Sequence, residues 1–148
     1  MSAAPDQGDV ARRAADALWA GDGASQALGM EILEVGPGLA VLAMTIQDSM
    51  TNGHGTAHGG FIFALADSAF AFACNSYGEA AVAAQCSITY LRPGKPGDRL
   101  IATACEIARS GRTGIYDVRV ACGDQTIAEF RGHSRVIGGS VIKGDSAA

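Results

Sequence analysis

The sequence predicts an α+β fold: one long buried helix wrapped by a curved antiparallel sheet of five to six strands. Three observations lead there. The segment Phe61 to Asn75 runs without a breaker, is rich in Ala, Leu and Phe, and is apolar on every face, as in a helix surrounded by protein. Four strand-like segments follow it, each closed by a Gly- or Pro-containing turn. The connections between them are too short for parallel crossovers.

Taken in order, Met1 to Gly8 is small and polar and reads as a flexible N-terminus. Val10, Ala14, Ala17 and Leu18 recur at helical spacing, giving a short helix over Asp9 to Ala20. "GMEILEVGPGLAVLAMTI" forms two strands around Gly36-Pro37-Gly38, and Asn52 to Gly60 is a Gly/His/Asn-rich loop. After the central helix, ended by Gly78, come the strands "AVAAQCSITYL", "RLIATACEIA", "TGIYDVRVAC" and "QTIAEFRGHSRVI", read as a meander. In the last, Ala128, Phe130, Ser134 and Val136 share one face and Glu129, Arg131, His133 and Arg135 the other, the pattern of a strand with one solvated side. A single domain over 9–143 results, with 144–148 as a flexible C-terminus. One helix in one sheet leaves edges unsatisfied, so an oligomer is expected.

Composition sets limits. A chain of 148 residues is long enough to bury about 70% of its unfolded surface. Its net charge of −4 argues against nucleic-acid binding. The charge is uneven: no Lys or Arg lies between Ala14 and Leu91, whereas Arg92 to Ala148 holds nine basic against six acidic residues. Cys74, Cys86, Cys105 and Cys122 are spread singly, which gives neither a zinc motif nor a disulfide framework. The N-terminal stretch lacks a secretory h-region, and the longest apolar run contains Asp67, so neither export nor membrane insertion is expected and the cytoplasm is the simple location.

Asp67 is the residue that needs explaining. It is the only charged residue between Gly59 and Asn75. As an N-cap it would require "FIFALA" to be a strand running into a helix with no turn residue. Within a helix its neighbours three and four away are Phe63, Ala64, Phe70 and Ala71, none of which can pair with it. Burying an unpaired carboxylate costs several kcal/mol, so such a residue is kept for chemistry, and desolvation raises its pKa. Gly59 and Gly60 open the helix, where backbone N–H groups lack partners and face the positive end of the helix dipole. They form a candidate oxyanion hole. Eight residues of helix separate Gly59 from Asp67 by roughly 12 Å, so one site using both draws on two antiparallel copies.

The block "NGHGTAHGGFIFALADSAFAFACNS", with "ITYLRPGKPGD", "GIYDVRV" and "FRGHSRVIGG" further on, resembles the hot-dog-fold acyl-CoA thioesterases, and among them the phenylacetate-degradation branch. The similarity covers Leu28 to Gly139. It implies a hot-dog fold, dimers that pair sheets edge to edge, and a dimer of dimers. It also implies hydrolysis of phenylacetyl-CoA and ring-hydroxylated relatives. The catalytic carboxylate of the family falls on Asp67, its polarising amide on Gly59, its polar side chain near the thioester on Asn52, with His58 supporting the loop. The carboxylate is a nucleophile in some members and a general base in others. A hydroxyl that relatives carry one turn after it is Ala71 here, which leaves Ser68 to position water.

Thioester hydrolysis needs a polarised carbonyl and a positioned oxygen nucleophile, so no metal or separate cofactor is expected, coenzyme A being part of the substrate. His54 and His58 sit in a Gly-rich loop with no acid or Cys nearby, a poor zinc site. For the CoA phosphates, Arg92, Lys95, Arg109, Arg112 and Arg131 are candidates, with Arg135 on the same polar strand face. Two alternatives remain: a hot-dog dehydratase, whose His motif has a different context, and a non-catalytic acyl-CoA-binding protein, for which no output segment is present.

Overall fold

A computed structural model describes residues 3–142 and Gly144. Helix α1 (Gln7–Gly21) is capped by Asp6, whose side chain accepts from the Gly8 N–H. It begins two residues before the expected start, because that cap lies upstream of Asp9. The flexible ends expected at 1–8 and 144–148 fall partly on 1–2 and 145–148, which, like residue 143 of the expected domain, lie outside the described residues. A short helix, α2 (Gly23–Ala27), follows and was not anticipated. Its five residues are too few to show periodicity. Strands β1 (Glu31–Gly36) and β2 (Leu39–Thr45) make the expected hairpin. Next come a 3₁₀ turn (Asp48–Met50), the central helix α3 (Gly59–Cys74), and strands β3 (Glu79–Tyr90), β4 (Arg99–Ser110), β5 (Thr113–Cys122) and β6 (Gln125–Ser140).

The six strands form one wholly antiparallel sheet in the order β1-β2-β4-β5-β6-β3. The meander reading is right for β4-β5-β6 and wrong for β3. That strand pairs with β6 at the far edge and not with β4, its neighbour in sequence. Local pattern identifies a strand but not its partner, which depends on how the chain crosses α3. Register shifts at Ile32/Glu34, at two points of the β3–β6 pair and at Glu106/Ala108 mark bulges. Bulges bend and twist a sheet, and this one curves around α3, which packs on β2, β4, β5, β3 and β6. The result is the hot-dog arrangement.

The core follows from alternation. Ala40, Leu42 and Met44 on β2, Leu100, Ala102 and Ala104 on β4, Tyr116, Val118 and Val120 on β5, and Ala128 and Phe130 on β6 are buried against Leu65, Ala66, Ala69, Phe70 and Ala73 of α3. Each large apolar side chain buried this way contributes about 1.5–3 kcal/mol. Phe70 meets Tyr116 and Phe130 at centroid distances of 5.7 and 5.8 Å. Trp19 of α1 reaches Phe72 at 6.4 Å. α3 ends at Asn75, not at Gly78. The Asn75 amide donates to the carbonyls of Ala71 and Ala81 and its oxygen accepts from the Ala81 N–H, tying the helix end to β3.

Among the described residues, one sheet edge and one face of the central helix near the site stay open. β3 has no partner on its outer side, and Val82, Ala83 and Ala84 are exposed. One stripe of α3, Phe63, Ala64, Asp67 and Ala71, is only half-buried. Its spacing of i, i+1, i+4 and i+8 places these residues on one helix face.

Gly132 is where the sheet yields to the helix: a Cβ there would lie 2.7 Å from the Phe70 ring. Gly132→Ala is expected to lower stability by about 1–3 kcal/mol, the scale of overpacking a filled core. Urea unfolding of the two proteins measures it, and equal midpoints would refute the close approach.

Candidate active site

α3 begins because His58 adopts an extended backbone and turns its Nδ1 back to accept from the Gly60 N–H at 2.9 Å. This corrects the expectation of two free amides. Gly60 already has a partner, and only the Gly59 N–H at this end is left without an acceptor among the described residues. Both glycines are crowded by side chains. A Cβ on Gly60 would sit 3.1 Å from His58 Nδ1, and one on Gly59 would sit 3.0 Å from the Tyr90 ring and hydroxyl. Tyr90 was not singled out from sequence. Its hydroxyl donates to the Gly59 carbonyl at 2.8 Å, which pins the first turn of α3 to the end of β3. A tyrosine ending an alternating strand carries no local signal of that contact.

Asn52 organises the loop leading into the helix. Its Oδ1 accepts from the backbone N–H groups of His54 and Thr56 at 2.9 and 3.2 Å, and its Nδ2 donates to Thr56 Oγ1 at 3.0 Å. The Asn52 and Thr56 backbones close the turn. Asn52, Gly59, Tyr90 and Arg92 then line one cavity of about 400 Å³, together with Ile62 and Pro93. This cavity unites three of the sequence candidates and does not include Asp67.

Asp67 lies inside α3, so the N-cap alternative is excluded. Its carboxylate is half-buried and makes no hydrogen bond or ion pair among the described residues. Burial pushes its pKa above the ordinary 3.8, and the negative charge of Asp22 adds to the effect. Asp22 was missed because it lies 45 residues away in sequence. It caps α2, accepting from the Ser25 N–H and hydroxyl at 2.9 and 2.7 Å. The Ser25 hydroxyl is in turn 2.8 Å from that of Ser68, next to Asp67.

The basic candidates do not converge. Arg92 lines the cavity at the start of α3, and Lys95 lies exposed in the same β3–β4 connection. Arg109 and Arg112 lie at the opposite end, where Arg112 lines a larger cavity of about 570 Å³ with Tyr77, Gly138 and Gly139. Arg109 stacks 3.6 Å over the Tyr77 ring and lies 3.6 Å from Glu106. Arg131 is bound by both oxygens of Asp117, at 2.6 and 2.8 Å, which holds that carboxyl below its usual range. Arg131 is thus paired with Asp117 across β5–β6 through Nε and one Nη, and it does not line the cavity at the start of α3. Among the described residues, no three of His, Cys, Asp or Glu cluster closely enough to hold a metal ion, and no helix is long and apolar enough to cross a membrane.

Residues 54–129 match the thioesterase superfamily. The acyl-coenzyme A thioesterase PaaI of Escherichia coli K12 is 48% identical over 128 residues, 86% of this chain and 91% of that protein. This chain belongs to the thioesterase superfamily. The structure of the E. coli PaaI protein from the phenylacetic acid degradation operon is similar with a TM-score of 0.90 at 45% identity, covering 91% of this chain and 99% of that one. A hypothetical thioesterase with coenzyme A from Streptococcus pneumoniae TIGR4 is similar at 28% identity and a TM-score of 0.72, over 75% of this chain and 90% of that one. The chain is thus a thioester hydrolase on a hot-dog scaffold. In such an enzyme a lone carboxylate and a free helix-start amide are the groups with chemistry to offer.

The raised pKa of Asp67 has a consequence for stability. Its proton is held more tightly in the folded chain than in the unfolded one. The penalty is absent below the unfolded pKa, grows as pH rises past 3.8, and is complete above the folded pKa. Asp67→Asn is therefore expected to melt higher than the parent at pH 7.5, with the gap closing toward pH 4. A gap that stays constant over that range, measured by thermal unfolding, would contradict the burial of charge.

Proposed function

We propose that this thioesterase hydrolyses aryl-acyl-CoA thioesters, phenylacetyl-CoA and its ring-hydroxylated relatives first among them, to the free acid and CoA. Asp67 carries the reading: a half-buried carboxylate, unpaired, with raised proton affinity, in a helix of Ala and Phe. A base whose pKa is moved toward the working pH is more effective, so we assign Asp67 as general base. Water oxygen bonds to the thioester carbonyl carbon as its proton passes to Asp67. The Gly59 N–H stabilises the oxyanion. On collapse the C–S bond breaks, and the CoA thiolate takes the proton from Asp67. Thiolate is a good leaving group, so neither a metal nor a cofactor is required.

The cavity holding Gly59 and Asn52 lacks Asp67, and about 12 Å of helix separates the two groups. A second copy resolves this. The uncovered α3 stripe and the unpaired edge of β3 suit an antiparallel mate whose Asp67 enters the first copy's cavity, and a dimer of dimers extends the same logic. Arg92 lines that cavity and suits the CoA phosphates, with Lys95 exposed three residues further along the same connection. The relationship to PaaI supports the aryl-acyl substrate, the coenzyme A of the streptococcal relative supports the CoA moiety, and the four free cysteines suit the cytoplasm. Phe61 and Phe63 are half-buried on α3 and can contact a ring, whereas Phe70 and Phe72 are core.

The test is thiol release from a panel of acyl-CoAs. Phenylacetyl-CoA should give a higher kcat/KM than palmitoyl-CoA, by a modest margin because an apolar pocket discriminates by only ~1–3 kcal/mol per group. Asp67→Asn should fold and assemble yet lose at least about a hundredfold in turnover. Palmitoyl-CoA as the better substrate would overturn the acyl assignment, and near-parental turnover of the variant would overturn the base.

Subunit mixing tests the shared site. Asp67→Asn and Gly59→Val chains, each inactive alone, should regain activity when exchanged into hybrids, since one site then carries neither defect. Confirmed exchange without recovery would show that each site belongs to one chain.

A further inference from the structure

The Ser25 hydroxyl is fully buried and stands between two partners: Asp22 Oδ2 at 2.7 Å and Ser68 Oγ at 2.8 Å. A hydroxyl has one proton, and a carboxylate only accepts. The Ser25 proton is therefore committed to Asp22, and the contact with Ser68 requires Ser68 to donate. The direction runs one way, from Ser68 through Ser25 to Asp22. Ser68 then has only lone pairs left to offer, and it adjoins Asp67, which has made no bond of its own. Asp22 also accepts from the Ser25 N–H as the cap of α2, so the end of the relay is held by the backbone.

We propose that Asp22 and Ser25 are positioning residues that hold Ser68 as a hydrogen-bond acceptor beside Asp67, so that the two side chains bind the hydrolytic water through its protons and leave its lone pair free for attack. This rests on Asp67 being the general base. A water between two acceptors presents neither with its own lone pair, whereas a donating Ser68 would occupy the electrons that must form the C–O bond. Three titratable groups act on or through the field of Asp67: Asp22 from the α1–α2 junction, Cys74 on α3 and Cys86 on β3. Burial pushes both thiols up, Cys74 to about 12, so they are neutral at working pH and Asp22 supplies the charge.

The test uses steady-state pH profiles with phenylacetyl-CoA. Ser25→Ala and Ser68→Ala should each lower kcat about tenfold, the scale of one hydrogen bond, with KM within about twofold. Combined, they should cost little more than either alone, because residues acting through one another are not additive. Asp22→Asn still caps α2, but its amide donates to Ser25 and reverses the relay. It should lower kcat and, with the negative charge gone, move the acid limb of the profile to lower pH. It also keeps the test decisive if Ser25→Ala does not fold. Asp67→Asn is assayed in parallel. If that variant stays active, the general-base reading falls and the relay with it. If it is inactive while the relay variants match the parent, or the two serine effects add, or Asp22→Asn leaves the acid limb in place, the relay alone is wrong.

Discussion

A helix that is apolar on every side must be covered on every side, and the fold is organised around that requirement. α3 cannot lie on a flat sheet, because a flat sheet covers one face. The sheet is long, and bulges in β1, β3 and β4 turn it around the helix. Gly132 brings the β6 backbone down onto Phe70. Trp19 and the α1–α2 segment cover part of what the strands leave. The remaining stripe contains Asp67.

The same helix generates the chemistry. Its burial makes the Asp67 carboxylate reluctant to ionise, which suits a proton acceptor. Its N-terminus concentrates unpaired amides, and the structure narrows these to one by giving the Gly60 amide to His58. Tyr90 holds the Gly59 carbonyl and packs so closely that a Cβ there would lie 3.0 Å from its ring and hydroxyl. The free amide is therefore placed from three directions: by the His58 cap, by the Asn52 turn and by the end of β3. None of the three contacts requires the substrate to be present.

The charged surface shows how composition can mislead. Nine basic residues in the C-terminal part suggested a pool of phosphate contacts, yet antiparallel pairing sets several of them against acids. Arg131 faces Asp117 and Arg119 faces Glu129 across the β5–β6 pair, at 2.6 and 2.7 Å. Arg99 reaches Glu31 on β1. Cross-strand pairs of opposite charge are the ordinary state of a solvated sheet face. Of the basic positions singled out, Arg92 alone lines the cavity at the helix start.

Local sequence determined the elements. The breaker-free run became α3, the Gly36-Pro37-Gly38 turn became the β1–β2 hairpin, and alternation in β6 separated its buried and solvated faces correctly, because each depends on residues within a few positions of one another. Asp67 was legible for the same reason, as a charge whose helical neighbours cannot pair with it. The tertiary structure alone decided that β3 lies beside β6, that Gly60 is capped and Gly59 free, that Tyr90 clamps the helix start, and that Asp22 and Ser25 reach Ser68. Those contacts join residues 31 to 61 positions apart, or depend on a side chain's rotamer. Neither distance across the fold nor the direction of a hydrogen bond leaves a periodic trace in the chain.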